Sequence, residues 1–357
     1  MRGFLLCLAL LSWLPAASAE DATGPLWDVQ FHKLRDDIYV AQLADPSITP
    51  MVMGNVTVII NEHDVVLVDA GGAPVAARRI IAGIRKLTTK PVSTVIDTHW
   101  HGDHTLGNQE YVKAWPGVQI IARPETREAL LGDKIGYVKD IAESVDGRRK
   151  TWGQVSADLR KKGDPDDIKV ADYLDRYFQH DIDITQREYK TVDITPPDLT
   201  FTGDISLYRG KREIRVLYLG KGHTAGDVVV YLPQEKLLAS GDLVASPPFA
   251  YKYATEIDDT LEALDALDFD TLVPGHGPVL QGKDYLHRLQ ALLKDTEGQV
   301  RPLMQQGLGV DDILKRLDLK AETDSFAGQD PVARYMFDLN FTQNYVQNLY
   351  DELKAGD

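Results

Sequence analysis

The stretch Thr98-His99-Trp100-His101-Gly102-Asp103-His104 places three imidazoles and a carboxylate within six residues. It follows Val92-Ser93-Thr94-Val95-Ile96, a β-branched, apolar run that predicts a buried strand. The polar cluster therefore begins where a strand ends, and the fold must hold that strand end open at its surface, as α/β folds do. In an extended segment alternate side chains share a face, so His99 and His101 point together while Asp103 and His104 diverge. Neutral imidazole and carboxylate are groups that zinc accepts readily, so one segment can serve two adjacent metals.

Residues 1–19 read as a cleaved secretory signal. Arg2 gives the charged start, Phe4 to Leu14 an apolar run too short to span a bilayer, and Ala17-Ser18-Ala19 the small-residue cleavage pattern. The single cysteine, Cys7, lies inside this segment, so disulfides and thiolate ligation are not expected in the mature chain. Against 39 Lys plus Arg stand 54 Asp plus Glu, a formal charge of −15, and cleavage removes Arg2 as well. Such an acidic surface disfavours nucleic acid as a partner. No later segment has the length and apolarity of a membrane span, so a soluble, periplasmic or secreted protein acting on a small molecule is expected, with its oligomeric state open.

Residues 28 to 70 read as strands, around Ile38-Tyr39-Val40, Asn55 to Ile60 and Val65 to Val68. Pro74 to Leu87 carries Val75, Ile80, Ile81 and Ile84 at helical spacing, which predicts a strand, helix, strand crossover into the histidine cluster. Val118 to Ala122 continues the sheet. From 124 to 190 the sequence turns charged with a helical period, and breaks at Asp146-Gly147 and Gly163-Asp164-Pro165 predict three helical segments. Strands return over Leu199 to Tyr208, Glu213 to Leu219, Val228 to Leu232 and Lys236 to Ala239, with turns at Gly203-Asp204 and Arg209-Gly210. A helix over Ile257 to Leu267, a short strand at Thr271-Leu272-Val273, and helices from Asp284 onward complete the pattern, with Tyr345, Leu349 and Leu353 on one face of the last helix. Two groups of strands each followed by helices predict an α/β, αββα four-layer sandwich. Its core would span 20–123 and 191–283, with a helical insertion at 124–190 and a C-terminal helical extension at 284–357.

Three more polar sites follow apolar runs: His223 in Gly220-Lys221-Gly222-His223, Asp242 in Ser240-Gly241-Asp242, and His276 in Pro274-Gly275-His276-Gly277-Pro278. Glycines beside each permit the tight backbone that aims a side chain at a metal. With Asp69 and the His99 to His104 cluster, these residues resemble the five motifs of the metallo-β-lactamase superfamily, in order, over about residues 30 to 280. The resemblance implies the αββα sandwich with two Zn²⁺ ions at one sandwich edge. His99, His101 and His223 would bind the first metal, Asp103, His104 and His276 the second, and Asp242 would bridge them. Asp69 would orient the histidine loop through hydrogen bonds.

The implied activity is that of a zinc-dependent metallohydrolase: a metal-bridging hydroxide attacks an ester, lactone, thioester or lactam carbonyl, with Asp103 orienting it or passing a proton to the leaving group. Iron-binding flavin-linked members usually carry glutamate where this chain has His101, and true β-lactamases usually carry cysteine or serine near the place of Asp242. The aspartate is closer to glyoxalase II, lactonases and alkylsulfatases, whereas an exported location suits a β-lactamase. The same residues would also suit a mono-iron enzyme resembling persulfide dioxygenases, or a non-catalytic periplasmic metal-binding accessory protein. Tyr251 and Tyr253 are candidate substrate contacts, Lys221 a candidate attractor of anions, and Trp100 a candidate wall of the site. His32, His63, His180 and His287 are expected to be ordinary surface or packing residues.

Overall fold

A computed structural model of the chain describes residues 28–44, 53–143, 145–176 and 181–356. The secretory signal expected at 1–19 and His180 lie outside them. The chain starts as an antiparallel meander, β1 (Val29–Arg35), β2 (Ile38–Leu43), β3 (Val56–Ile60) and β4 (Val65–Val68). Helix α1 (Pro74–Leu87) starts with a proline, whose fixed φ suits a first turn, and ends with Arg85 and Lys86 against the helix dipole. Its buried Val75, Ile80, Ile81 and Ile84 are the residues whose spacing predicts it. It crosses over to β5 (Val92–Ile96), which pairs parallel to β4.

After β5 come two short helices, α2 (Gly102–Thr105) and α3 (Asn108–Ala114), then β6 (Gln119–Ala122). In the 124–190 region the described residues include α4 (Pro124–Leu131), a 3-10 turn (Asp133–Gly136), α5 (Tyr137–Glu143), α6 (Val145–Lys162), α7 (Pro165–Asp175) and α8 (Asp181–Tyr189), so the first of the three expected segments is already divided between Leu131 and Tyr137. Asp146-Gly147 is no break. Asp146 sits in the first turn of α6, where a carboxylate favours the dipole, and the glycine beside it costs the helix only about 1 kcal/mol. The second expected break does end a helix: Gly163 has φ +75°, and Asp164 caps α7 by accepting from the Asp166 amide.

Strand β7 (Leu199–Thr200) closes the first sheet, whose seven strands lie in sequence order. The Leu199 to Tyr208 stretch is thus two strands in different sheets, because the turn at Gly203 (φ +83°) carries the chain across the sandwich into β8 (Ile205–Arg209). The second sheet adds β9 (Arg212–Leu217), β10 (Val229–Leu232), β11 (Leu237–Ala239), β12 (Thr271–Val273) and β13 (Leu280–Gln281), in the order β13-β12-β11-β10-β9-β8. Helix α9 (Ile257–Asp265) carries the chain from β11 to its parallel neighbour β12. The remainder is α10 (Asp284–Gln305), α11 (Val310–Leu314), α12 (Lys320–Ala327), α13 (Pro331–Phe337), a π-helical turn (Asp338–Gln343) and α14 (Asn344–Gly356).

Three apolar layers make the sandwich αββα. Ile38, Val40, Val66 and Ile96 of the first sheet meet Ile214, Val216, Val230 and Val273 of the second. α1 covers the outer face of the first sheet, and α9, α10 and α14 cover that of the second. Tyr345 and Leu349 are buried on α14, and Leu353 is partly so. A small separate cluster, Leu159, Val170, Ala171 and Leu174, packs the α6/α7 hairpin against Val332 and Tyr335, joining the inserted helices to the C-terminal ones.

Candidate metal centre

Asp69, the His99 to His104 segment, His223, Asp242 and His276 follow β4, β5, β9, β11 and β12, and all reach the same rim of the sandwich. Backbone bonds lock the loops across the two sheets: Val228 N donates to Thr98 O (2.9 Å) and Asn55 N to Gly275 O (2.7 Å). Two buried amides extend that seam. Gln42 Nε2 donates to Gly277 O (2.8 Å), and Asn55 Nδ2 to Pro274 O (2.8 Å), so the first sheet holds the loop of His276. Close approach explains two glycines: a Cβ on Gly54 would lie 2.2 Å from the His104 ring, and one on Gly275 1.9 Å from Asp242 Oδ1.

All seven expected side chains come together in two groups that share one carboxylate. In the first, His101 Nδ1 lies 3.2 Å from His99 Nε2 and 2.8 Å from His223 Nε2, and Asp242 Oδ2 lies 3.3 Å from His223 Nε2 and 3.7 Å from His99 Nε2. In the second, His276 Nε2 lies 2.9 Å from Asp103 Oδ2 and 3.1 Å from His104 Nε2, while Asp242 Oδ1 lies 3.3 Å from His104 Nε2 and 3.5 Å from His276 Nε2. Asp242 therefore turns one oxygen to each group.

The outward ring nitrogens fix what the inward ones present. Asp69, held at φ +65° in a region few residues with a side chain adopt, accepts from Thr98 N (2.8 Å), Thr98 Oγ1 (3.0 Å) and His104 Nδ1 (2.8 Å). With its proton given to Asp69, the Thr98 hydroxyl accepts from His99 Nδ1 (3.0 Å). His223 Nδ1 donates to Ala250 O (3.1 Å). His99 and His223 thus carry their protons outward, and their Nε2 lone pairs both face His101 Nδ1. A tetrahedron with metal–nitrogen bonds of about 2.0–2.1 Å has edges of about 3.3 Å, close to these spacings. Asp242 Oδ1 is buried without a hydrogen bond, as suits an oxygen reserved for a cation. The donors of each group fit a metal ion.

Electrostatics separate the groups. Burial, then repulsion from His104, holds His99 well below the usual histidine range, and burial with the neighbouring His223 pulls His101 down to about 3. Burial also opposes charge on His104 and His276, but the carboxylates win. Asp242, Asp103 and Asp69 lift His104 well above its ordinary value, and Asp242 with Asp103 raises His276 to about 9. Burial would raise the two acids, yet His104 and His276 keep Asp103 and Asp242 well below theirs.

Several contacts carry no signal in the sequence. Asp227 accepts from both Thr224 N (2.8 Å) and Thr224 Oγ1 (2.5 Å), bracing the loop of His223, and burial pushes its carboxyl up to about 6. Gly102 N donates to Tyr137 Oη (2.7 Å), so α5 of the inserted region touches the histidine segment. Trp100 stands edge-on to His101 (4.2 Å between centroids) while also packing on the core. Tyr251 is not a substrate contact: it is buried, donates to Leu243 O (3.0 Å) and meets Tyr345 edge to face. Lys221 is committed to Glu256 (3.1 Å) and to the ring of Tyr253. His32, His63 and His287 are exposed, the last bonded to Asp265.

The family model of the metallo-beta-lactamase superfamily matches residues 49–276. The chain belongs to that superfamily. Superfamily relatives include a linear primary-alkylsulfatase of Pseudomonas sp. (strain ATCC 19151), 22% identical over 282 residues, or 75% of this chain and 50% of the relative. A type 2 metallo-beta-lactamase of Bacteroides fragilis is 24% identical over 219 residues, 58% of this chain and 64% of the relative. The chain thus spans half the length of the alkylsulfatase and under two thirds of the lactamase. Among solved structures, a metallo-beta-lactamase from Pontibacter korlensis aligns with a TM-score of 0.51 at 20% identity, over 75% of this chain and 99% of that one. The DIM-1 metallo-beta-lactamase aligns with a TM-score of 0.50 at 18% identity, over 75% and 97%. At such identities these structures establish the shared fold, and the superfamily's hydrolases are the setting in which the two ligand groups are to be understood.

Proposed function

We propose that the chain is an exported dinuclear zinc hydrolase that opens an ester, lactone, thioester or lactam bond. The observation that carries this reading is the placement of Asp242, with one oxygen 3.3 Å from His223 and the other 3.3 Å from His104, between two otherwise separate ligand groups. His99, His101 and His223 would hold one ion, Asp103, His104 and His276 the other, and Asp242 both. Two zinc ions, when bound, supply Lewis acidity and bring the pKa of water towards neutral.

The chain's own residues do the rest. Asp69 and Thr98 keep ring protons on the outward nitrogens, and Ala250 O does the same for His223. Asp103 is the member of the second group that reaches solvent, its side chain 16% exposed against 0% for His104 and 3% for Asp242. Kept ionised by its histidine neighbours, it orients the attacking water or passes a proton to the departing group. Export rests on the sequence of residues 1–19, and no helix among the described residues is long and apolar enough to cross a membrane. The alkylsulfatase alignment, over three quarters of this chain, favours sulfate esters as a second substrate class.

The test is metal analysis of purified, zinc-replete protein joined to an activity panel of esters, lactones, thioesters, β-lactams and alkyl sulfates, before and after chelation. About two zinc ions per chain and chelator-sensitive turnover of at least one class are expected. One ion or fewer per chain would sink the dinuclear reading, and metal binding without turnover of any class would leave an accessory protein instead.

A further inference from the structure

His101 belongs to the first ligand group and Asp103 to the second, with Gly102 the single residue between them. Two ions stay at a set separation only if that turn of backbone keeps its shape, and glycine has no side chain with which to anchor it. Gly102 is the first residue of α2, and His101 before it offers no side-chain cap. The carbonyls of the turn are tied to the first sheet, because Gly54 N donates to Asp103 O (2.9 Å) and Ala70 N to His104 O (2.7 Å). Its leading amide needs another partner, since a first-turn N–H has no carbonyl within its own helix. The acceptor comes from the inserted region: Tyr137, the first residue of α5, presents its Oη to Gly102 N at 2.7 Å.

The fit between the two residues is mutual. A Cβ on Gly102 would lie 2.5 Å from Tyr137 Oη, so the hydroxyl occupies the space that any other residue at 102 would need. The tyrosine ring meets Trp100 edge-on (6.4 Å between centroids), and Trp100 meets His101 in the same manner (4.2 Å), so Tyr137 reaches the ligand segment through its ring as well as its hydroxyl. Helix α5 is a fixed support for both contacts. Val138 and Ala142 are buried in the apolar layer that α1 also joins, together with Ile135 and Tyr189, and Gln186 Nε2 of α8 donates to Ala142 O (2.9 Å). We infer that Tyr137 is a positioning residue of the metal centre, its hydroxyl fixing the His101-Gly102-Asp103 turn so that the inserted helices set how the two ligand groups stand relative to each other. That role rests on both groups binding metal, as the dinuclear reading requires. An anchor at Gly102 lies between the groups, so its loss weakens both ions alike.

The test begins with Tyr137→Phe in the full chain, which removes the hydroxyl and leaves the ring against Trp100. Chelator-competition titration should show zinc binding weakened about five- to tenfold at each ion, the order of one hydrogen bond lost to a partly buried amide. Tyr208→Phe, which deletes an exposed hydroxyl on β8, should change nothing. In the stripped protein, hydrogen exchange over residues 99–106 should quicken by a similar factor while that of α1 stays as in wild type. Unchanged zinc affinity, or exchange that quickens equally in α1, overturns the inference. Gly102→Ala supplies a rescue. Its methyl would meet Tyr137 Oη, while its other close neighbour, the end of the Leu106 side chain at 3.0 Å, is free to give. Gly102→Ala alone should lose zinc affinity, and the double variant with Tyr137→Phe should bind more tightly than Gly102→Ala, because the oxygen in the way is gone. Losses that simply add would overturn the contact as their cause. Should Gly102→Ala fail to fold, recovery of folded protein in the double variant is the same rescue, and Tyr137→Phe alone decides if neither folds. Should the wild type bind no zinc, the dinuclear reading fails. Exchange over 99–106 then still decides whether the hydroxyl holds the turn, with faster exchange in Tyr137→Phe supporting it and unchanged exchange overturning it.

Discussion

The two ligand groups lie side by side and share Asp242, yet they are built on opposite electrostatic plans. His99, His101 and His223 form a buried imidazole cluster whose outward contacts are neutral, Thr98 Oγ1 and Ala250 O. His104 and His276 are set among carboxylates, with Asp69 behind one and Asp103 and Asp242 beside both. Burial keeps His99 and His101 unprotonated, while the carboxylates keep protons on His104 and His276. A cation entering the first group meets lone pairs, and one entering the second must expel protons. The contrast shows how one rim can offer two sites of similar ligand chemistry but unequal demand for metal.

Removing the shared carboxylate should break the contrast outright. Asp242→Ala deletes an oxygen from each group and leaves the imidazoles facing one another without the negative charge that offsets two cations. Losing metal-supplied stabilisation of several kcal/mol corresponds to at least about 10³-fold in kcat/KM. Zinc content should fall below one ion per chain, measured by elemental analysis. Retention of two ions with near-wild-type turnover would show that Asp242 is not the bridge.

Much of this centre is legible in the sequence because strands and ligand loops advertise themselves locally: β-branched runs ending in His, Asp and Gly are visible without a partner. The bracing contacts are harder to see. Asp227 and Thr98 are common polar residues, and only the fold shows that one holds Thr224 and the other links Asp69 to His99. Tyr251 misleads because closeness in sequence to Asp242 says nothing about direction, and its ring turns into the core to meet Tyr345. Asn344, Gln347 and Asn348 look like the solvated face of an amphipathic helix, and tertiary packing alone brings α14 to the metal rim. Asp146-Gly147 resembles a turn because local propensity takes no account of the neighbours that carry α6 through it.

Asp69 offers a more selective way to sharpen the contrast, since its carboxylate bonds His104 directly but reaches His99 only through the Thr98 hydroxyl. Asp69→Asn keeps the shape and removes the charge. Loss of such an outer partner typically lowers metal affinity about 10–100-fold, and that loss should fall on the second ion. Thr98→Val should weaken only the first, by a smaller factor, because a neutral hydroxyl is the weaker partner. Competitive zinc titration of both variants checks this, and equal losses at both ions in Asp69→Asn would erase the distinction.

The mildest test changes only pH. His276, raised to about 9, carries a proton at neutral pH that metal must displace, and His104 is shifted in the same direction. Affinity at the second group should therefore rise with pH, by about tenfold or more per unit below pH 9, as each displaced proton is released more readily. His101, lowered to about 3, has no proton to lose over that range, and His99 is shifted the same way. From about pH 8 down to about pH 6, His99 and His101 should therefore add no pH dependence to affinity at the first group. A chelator-competition titration of the stripped protein across that interval should resolve two steps, of which the weaker moves more steeply with pH. Two steps that move in parallel would mean that the protons belong to both groups alike, and that the carboxylates around His104 and His276 do not set the order in which the ions bind.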